Sequence, residues 1–228
     1  MSDELLDPDI FVRLSLAFHG IKVVRNHYVA GNWEFTLDVM PASELSINSN
    51  EICGAFAKMK YWVEEIVNGS LMFAHSNKWA VNQFFGEHQK ELVANNIVLL
   101  PGPVSDDLIA KILHAKLTAL SNNSLIVGPI ELCSADGLGI SIFYTGENSD
   151  LPPIEQWVGK RSFFDKPWWD RDDSSTLDIV PSAADNIAVK PHFAESLDFL
   201  VTPPRKKRRK KADVIRHNFR PNIINGGS

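Results

Sequence analysis

Residues 11–19, "FVRLSLAFH", alternate strictly: Val12, Leu14, Leu16 and Phe18 point one way, and Arg13, Ser15 and His19 the other. That period of two predicts a half-buried strand. "NWEFTLDVM" repeats it, with Trp33, Phe35, Leu37 and Val39 set against Glu34, Thr36 and Asp38. Between them "GIKVVRNHYVAG" is bounded by Gly20 and Gly31 and reads as a hairpin arm. From 51 to 68 the period lengthens: Ile52, Phe56, Met59, Val63 and Ile66 recur at helical spacing, and Asn68-Gly69 supplies the stop. "SLMFA" predicts a short strand, "SNKWAVNQFFGEHQKELV" a less regular helix, and "NNIVLL" an extended run broken by "PGP".

Ser105 is a good N-cap, with Asp106 and Asp107 in the first turn where the helix dipole favours acids. The helix that follows buries Leu108, Ile109, Ile112, Leu113, Leu117 and Leu120. "SLIVGPIELCSADGLGISIFYTGE" predicts a hairpin turning at Asp136-Gly137, with Gly128-Pro129 as the place for a bulge. The elements imply an α+β fold, an antiparallel sheet covered on one face by two or three helices. An irregular C-terminal extension and a basic tail follow. The boundaries expected are a body over 1–147, an acidic, Pro- and aromatic-rich wrap or linker over 148–202, and an interaction tail over 203–228.

Charge sharpens that division. The chain of 228 residues has a net charge of −5, yet residues 201–228 carry nine Lys/Arg against Asp213 alone, a local +8. Residues 1–200 hold fourteen basic and twenty-seven acidic side chains, a local −13. Seven consecutive cations, Arg205, Lys206, Lys207, Arg208, Arg209, Lys210 and Lys211, predict an interaction arm for nucleic acid or an acidic partner surface, with Arg216 and Arg220 beyond. The run also fits a nuclear-import signal. No apolar run reaches membrane-spanning length, "MSDELLDPDI" lacks the pattern of a secretory signal, and two cysteines make no disulfide framework. The expected location is the cytoplasm or a macromolecular particle, with the nucleus open if the source is eukaryotic.

In "FFDKPWWDRDD" the rings of Phe163, Phe164, Trp168 and Trp169 are too apolar to stand in water together. With Trp157 and Phe219 they are candidate anchors for a partner, the other use being to plug a groove on their own body. The carboxylates of "DRDD" over 170–173 read as a solvated loop before a divalent-ion site. No GxSxG elbow, P-loop or GxGxxG following a strand is present, and the seven histidines show no HExxH or HxH spacing.

The element order of 11–147, with "LSLAFHG", "NHYVAGNW", "LMFAHSN" and "IELCS", resembles the tunnelling fold of the 6-pyruvoyl- and 6-carboxytetrahydropterin synthase family. The resemblance implies His19 and His27 as zinc ligands, His75 in acid–base chemistry and Glu131 as the anchor of a pterin or purine ring. The chain departs from the family where His27 stands alone instead of in an His-Gly-His cluster, where His75 lacks its Asp, and where "IKVVRN" holds no Cys. The leading expectation is therefore a non-enzymatic structural subunit of a large assembly, of the kind found in a viral or phage particle, without a cofactor. It would contact other protein subunits in a homo- or hetero-oligomer, away from membranes. The other is a degenerate pterin- or purine-related enzyme using zinc.

Overall fold

A computed structural model of the chain describes residues 12–42, 50–85, 97–135, 141–146, 151–157, 164–180 and 187–188. The two alternating stretches pair as a long antiparallel hairpin, β1 (Val12–Val24) with β2 (His27–Pro41). Arg25 and Asn26 close it with φ of 46° and 66°. A two-residue turn of this hand requires positive φ at both central positions. Asn tolerates that region, whereas a residue such as Arg pays roughly 1 kcal/mol there.

The helical period after residue 50 yields α1 (Asn50–Tyr61), which widens into a π-helical stretch over Trp62–Val67 before Asn68 ends it. Gly69 follows at φ 79°, the left-handed position its lack of a Cβ permits. Next come β3 (Ser70–Ala74), α2 (Lys78–Phe85) and β4 (Ile97–Leu100). Then follow α3 (Asp106–Ser121), β5 (Leu125–Ser134) and β6 (Ser141–Tyr144). A short α4 (Ile154–Trp157), a 3₁₀ turn over Trp168–Asp170 and a two-residue ribbon of β7 (Ile179–Val180) and β8 (Ile187–Ala188) complete the described chain.

The six long strands form one sheet in the order β4-β3-β1-β2-β5-β6. The pairs among β1, β2, β5 and β6 are antiparallel, as the alternation implies. β3 and β4 add in parallel at one end, so the sheet is mixed. Both are nearly all buried, which is why neither shows alternation in sequence. The β2–β5 register slips between Leu37/Ile130 and Val39/Val127, placing the bulge at Gly128-Pro129. A Cβ on Gly128 would come within 2.8 Å of the Asp38 carbonyl, so the bulge depends on glycine.

One face of the sheet carries Phe18, Trp33, Phe35, Leu37 and Val39 into the core beneath α1 and α3. Phe18 stacks on Trp33 at 5.0 Å, a geometry that adds about 0.5–1.5 kcal/mol beyond burial. Ser105 caps α3 as expected, its Oγ accepting the Leu108 N–H at 3.2 Å. Asp106 in that first turn accepts the Trp33 indole N–H at 3.0 Å and meets Lys22 at 3.4 Å. α2 lies on the opposite face, where Phe84 meets Phe73 and Tyr28, whose positions in β3 and β2 point away from the Trp33 side. Among the described residues no helix is long and apolar enough to cross a membrane.

Candidate functional site

The face of the sheet turned away from α1 and α3 carries the polar half of the alternation. Arg13 grips Asp38 across the β1–β2 pair with two hydrogen bonds of 2.8 and 2.9 Å. Each bond holds its charge in place, raising the guanidinium pKa and lowering that of the carboxyl. Glu131 sits opposite Thr36 on one side and Phe143 on the other, close enough to add to the field on Arg13. Farther along the same face, His19, Asn32, Glu34 and Cys133 border a shallow depression of about 460 Å³.

The three histidines singled out in sequence do not converge within one chain. His19 faces Asn32 in the register and His27 faces Val24, five residues farther along, or about 17 Å at ~3.4 Å per residue. His75 follows β3, its ring edge-on to Trp157 at 5.3 Å, where burial lowers its pKa and favours the neutral imidazole. Among the described residues no three His, Cys, Asp or Glu side chains are grouped to hold a metal ion.

The aromatic wrap takes the intramolecular course. Trp168 and Trp169 are 0% and 1% exposed and join Trp157, Leu177 and Ile154 in the main core. Trp168 lies 6.2 Å from Trp62 and 5.5 Å from Trp169, which is itself 5.4 Å from Trp157. These rings fill a groove of their own chain and are core residues of the described structure. Phe164 is half-buried beneath the Arg171 guanidinium at 3.8 Å.

The strap also closes an edge. Thr176 O accepts the Leu99 N–H at 3.1 Å, Thr176 Oγ1 donates to Ile97 O at 2.5 Å, and the Trp168 indole donates to Leu99 O at 3.1 Å. Backbone groups of the outermost strand β4 are thereby satisfied by residues 168–178, which protects that edge from pairing with another chain.

What the sequence reading missed is the polar knot beneath the strap. Lys116, within the apolar stripe of α3, is 0% exposed and donates to Trp168 O at 2.7 Å and Arg171 O at 2.8 Å. Asp173 lies 3.4 Å from its ammonium. Burial pushes Lys116 down to about 7. Burial raises the Asp173 carboxyl, but Lys116, Ser175 and Arg171 together outweigh it and hold the group below its usual range. Asp178, 1% exposed, accepts from the Trp157 indole at 2.7 Å and from Trp168 N at 3.1 Å, and pairs with Arg171. The "DRDD" carboxylates therefore divide: Asp173 is a half-buried partner of cations, while Asp170 and Asp172 remain exposed. A sequence signal did exist, since a lysine at a core position of a helix demands acceptors, and the acids and carbonyls of 168–178 supply them. Between the end of α3 and this knot lies a cleft of about 590 Å³, bordered by His114, Asn122, Tyr144, Lys166 and Asp172.

Phe163, Phe219, Arg205–Lys211, Arg216 and Arg220 lie outside the described residues. No family model matches the chain, and no curated protein matches it. Among solved structures, a catalytic-residue mutant of Plasmodium vivax 6-pyruvoyltetrahydropterin synthase is similar over 60% of this chain and 99% of its own. The identity is 11% and the TM-score 0.33, a weak likeness in fold that assigns no role to any residue here.

Proposed function

We propose that this protein is a non-enzymatic structural subunit of a large assembly. Its basic tail, Arg205–Lys211 with Arg216 and Arg220, binds nucleic acid or an acidic partner surface. The observation that carries this reading is the segregation of charge, +8 in the last 28 residues against −13 in the first 200. A run of seven cations supplies attraction to phosphates without base readout, because nothing in it fixes a geometry against base edges.

The test is binding of the full chain to a short DNA duplex and to RNA across a salt series. If all seven cations of the run meet phosphates, the log–log slope on duplex is about −6. Replacing the nine tail cations by Gln should abolish both affinity and slope. Unchanged affinity would take nucleic acid away from the tail, and binding of the wild type but not of the Gln variant to an acidic protein would assign the tail to a protein surface.

One observation keeps a second reading in view: His19 and Cys133 line the same depression. That reading is a degenerate tunnelling-fold enzyme acting on a pterin or purine, with His75 and Glu131 in the chemistry and zinc at His19 or at His27, which the strand register holds about 17 Å apart. Metal analysis of the purified protein separates the two. Stoichiometric zinc that disappears in His19→Ala or His27→Ala favours the enzyme.

A further inference from the structure

Among the described residues, seven large apolar side chains are exposed, and they fall into two groups. Ile21, Val24, Tyr28, Val29 and Trp79 gather at the end of the β1–β2 arm, where Tyr28 meets Trp79 at 5.8 Å. Every residue from 24 to 30 is exposed, so the arm leaves the core behind after Val23. Ile126 and Phe143 stand instead on the outer sheet face, on β5 and β6.

The two groups have opposite electrostatic surroundings. Residues 14–33 and 66–85, which β1–β3 pairing and the Tyr28–Trp79 contact bring together, contain no Asp or Glu. They carry Lys22, Arg25 and Lys78, of which only Lys22 forms an ion pair among the described residues. Arg25 stands at the tip in the left-handed conformation. Around Phe143 acids outnumber cations: Glu131 lies directly across from it, Glu34 faces Cys133 two residues along β5, and Arg13, which feels the Glu131 charge, is bonded to Asp38. Neither carboxylate has an ion-pair partner among the described residues, Arg13 being committed to Asp38. An apolar arm with free cations and an apolar face with free acids are complementary. Within one chain the strand register holds them apart: Tyr28 is six residues along β2 from Glu34.

We propose that the arm of one copy of this chain docks on the β5–β6 face of a second copy, Tyr28 and Trp79 against Phe143 and Arg25 toward Glu131. The contact is head-to-tail, so each copy keeps one arm and one face free, and repetition builds a ring or a filament. The proposal gives the assembly reading its self-contact and depends on that reading for its purpose. It uses no residue of the tail.

Sedimentation of the full chain at low salt tests it. The wild type should associate with rising concentration, and more weakly as salt increases. Tyr28→Asp disables the arm and Phe143→Asp the face; these positions are 49% and 67% exposed, and thermal midpoints check that the fold is kept. Each variant alone should be monomeric, and their mixture should give a one-to-one dimer and nothing larger, because each contributes one intact half. Arg25→Glu and Glu131→Lys should each weaken association about tenfold, and combining them in one chain should restore it. A wild type that stays monomeric at every concentration overturns the proposal. So does loss confined to Tyr28→Asp, or a mixture that stays monomeric. The tail's salt slope on duplex, measured on the same variants, should not change, so this contact and the tail's role fail separately.

Discussion

Lys116 shows how far one side chain decides the relation between helix and strap. A buried ammonium is costly, and here two backbone carbonyls and Asp173 compensate it. Lys116→Met keeps the volume but strands the carbonyls of Trp168 and Arg171, and urea unfolding should show a loss of about 2–4 kcal/mol. The pH dependence has a definite sign. The folded pKa lies near 7, below the 10.5 of a free lysine. Between those values the unfolded chain binds the proton and the folded chain has released it. The burial penalty is therefore present in full below about pH 7 and is relieved as pH rises through that window. Stability measured from pH 7 to 10 should carry an upward contribution that disappears in Lys116→Met.

At the scale of elements, the strap over 164–178 is held by Asp178, which joins α4, the 3₁₀ turn and Arg171 through one carboxylate. Asp178→Ala leaves the Trp157 indole and the Trp168 N–H without their acceptor and Arg171 with Asp173 as its remaining ion-pair partner, and should cost about 2–4 kcal/mol in denaturant unfolding. Asp178→Asn keeps an acceptor for the Trp157 indole and should lose less. If the two variants lose equally, the ion pair and not the indole bond carries the cost.

Much of the rest was legible in sequence because it depends on local rules. Phe18 and Trp33 announced their faces by period, Ser105 its cap by chemistry, and Gly128-Pro129 its bulge by composition. The parallel placement of β3 and β4 was not legible, since strands buried on both faces show no alternation and their pairing depends on distant chain. Nor was the strap: "WWDRDD" states that rings must be hidden and charges paired, but not that α3 supplies the lysine, 52 residues earlier, under which they fold. His19, His27 and His75 look like a set in sequence and are separated only by the strand register.

For the whole molecule, charge offers two arrangements: the +8 tail reaches outward or lies back on the −13 portion of its own chain. The two arrangements respond oppositely to salt. A negative body with an outward tail is strained by self-repulsion, and screening, with a Debye length of about 8 Å at 0.15 M, relieves it. Its thermal midpoint should therefore rise by a few degrees between low and physiological salt. A tail clasped to its own body stabilises by attraction, so the same salt would lower the midpoint. In a chain diluted until monomeric, the assembly reading expects the rise, and expects the variant with nine tail cations replaced by Gln to show it too, because the tail contributes nothing to the isolated fold. A midpoint that falls with salt in the wild type, but not in the Gln variant, would mean that the cations are already satisfied within one chain and unavailable to phosphate or to a neighbour.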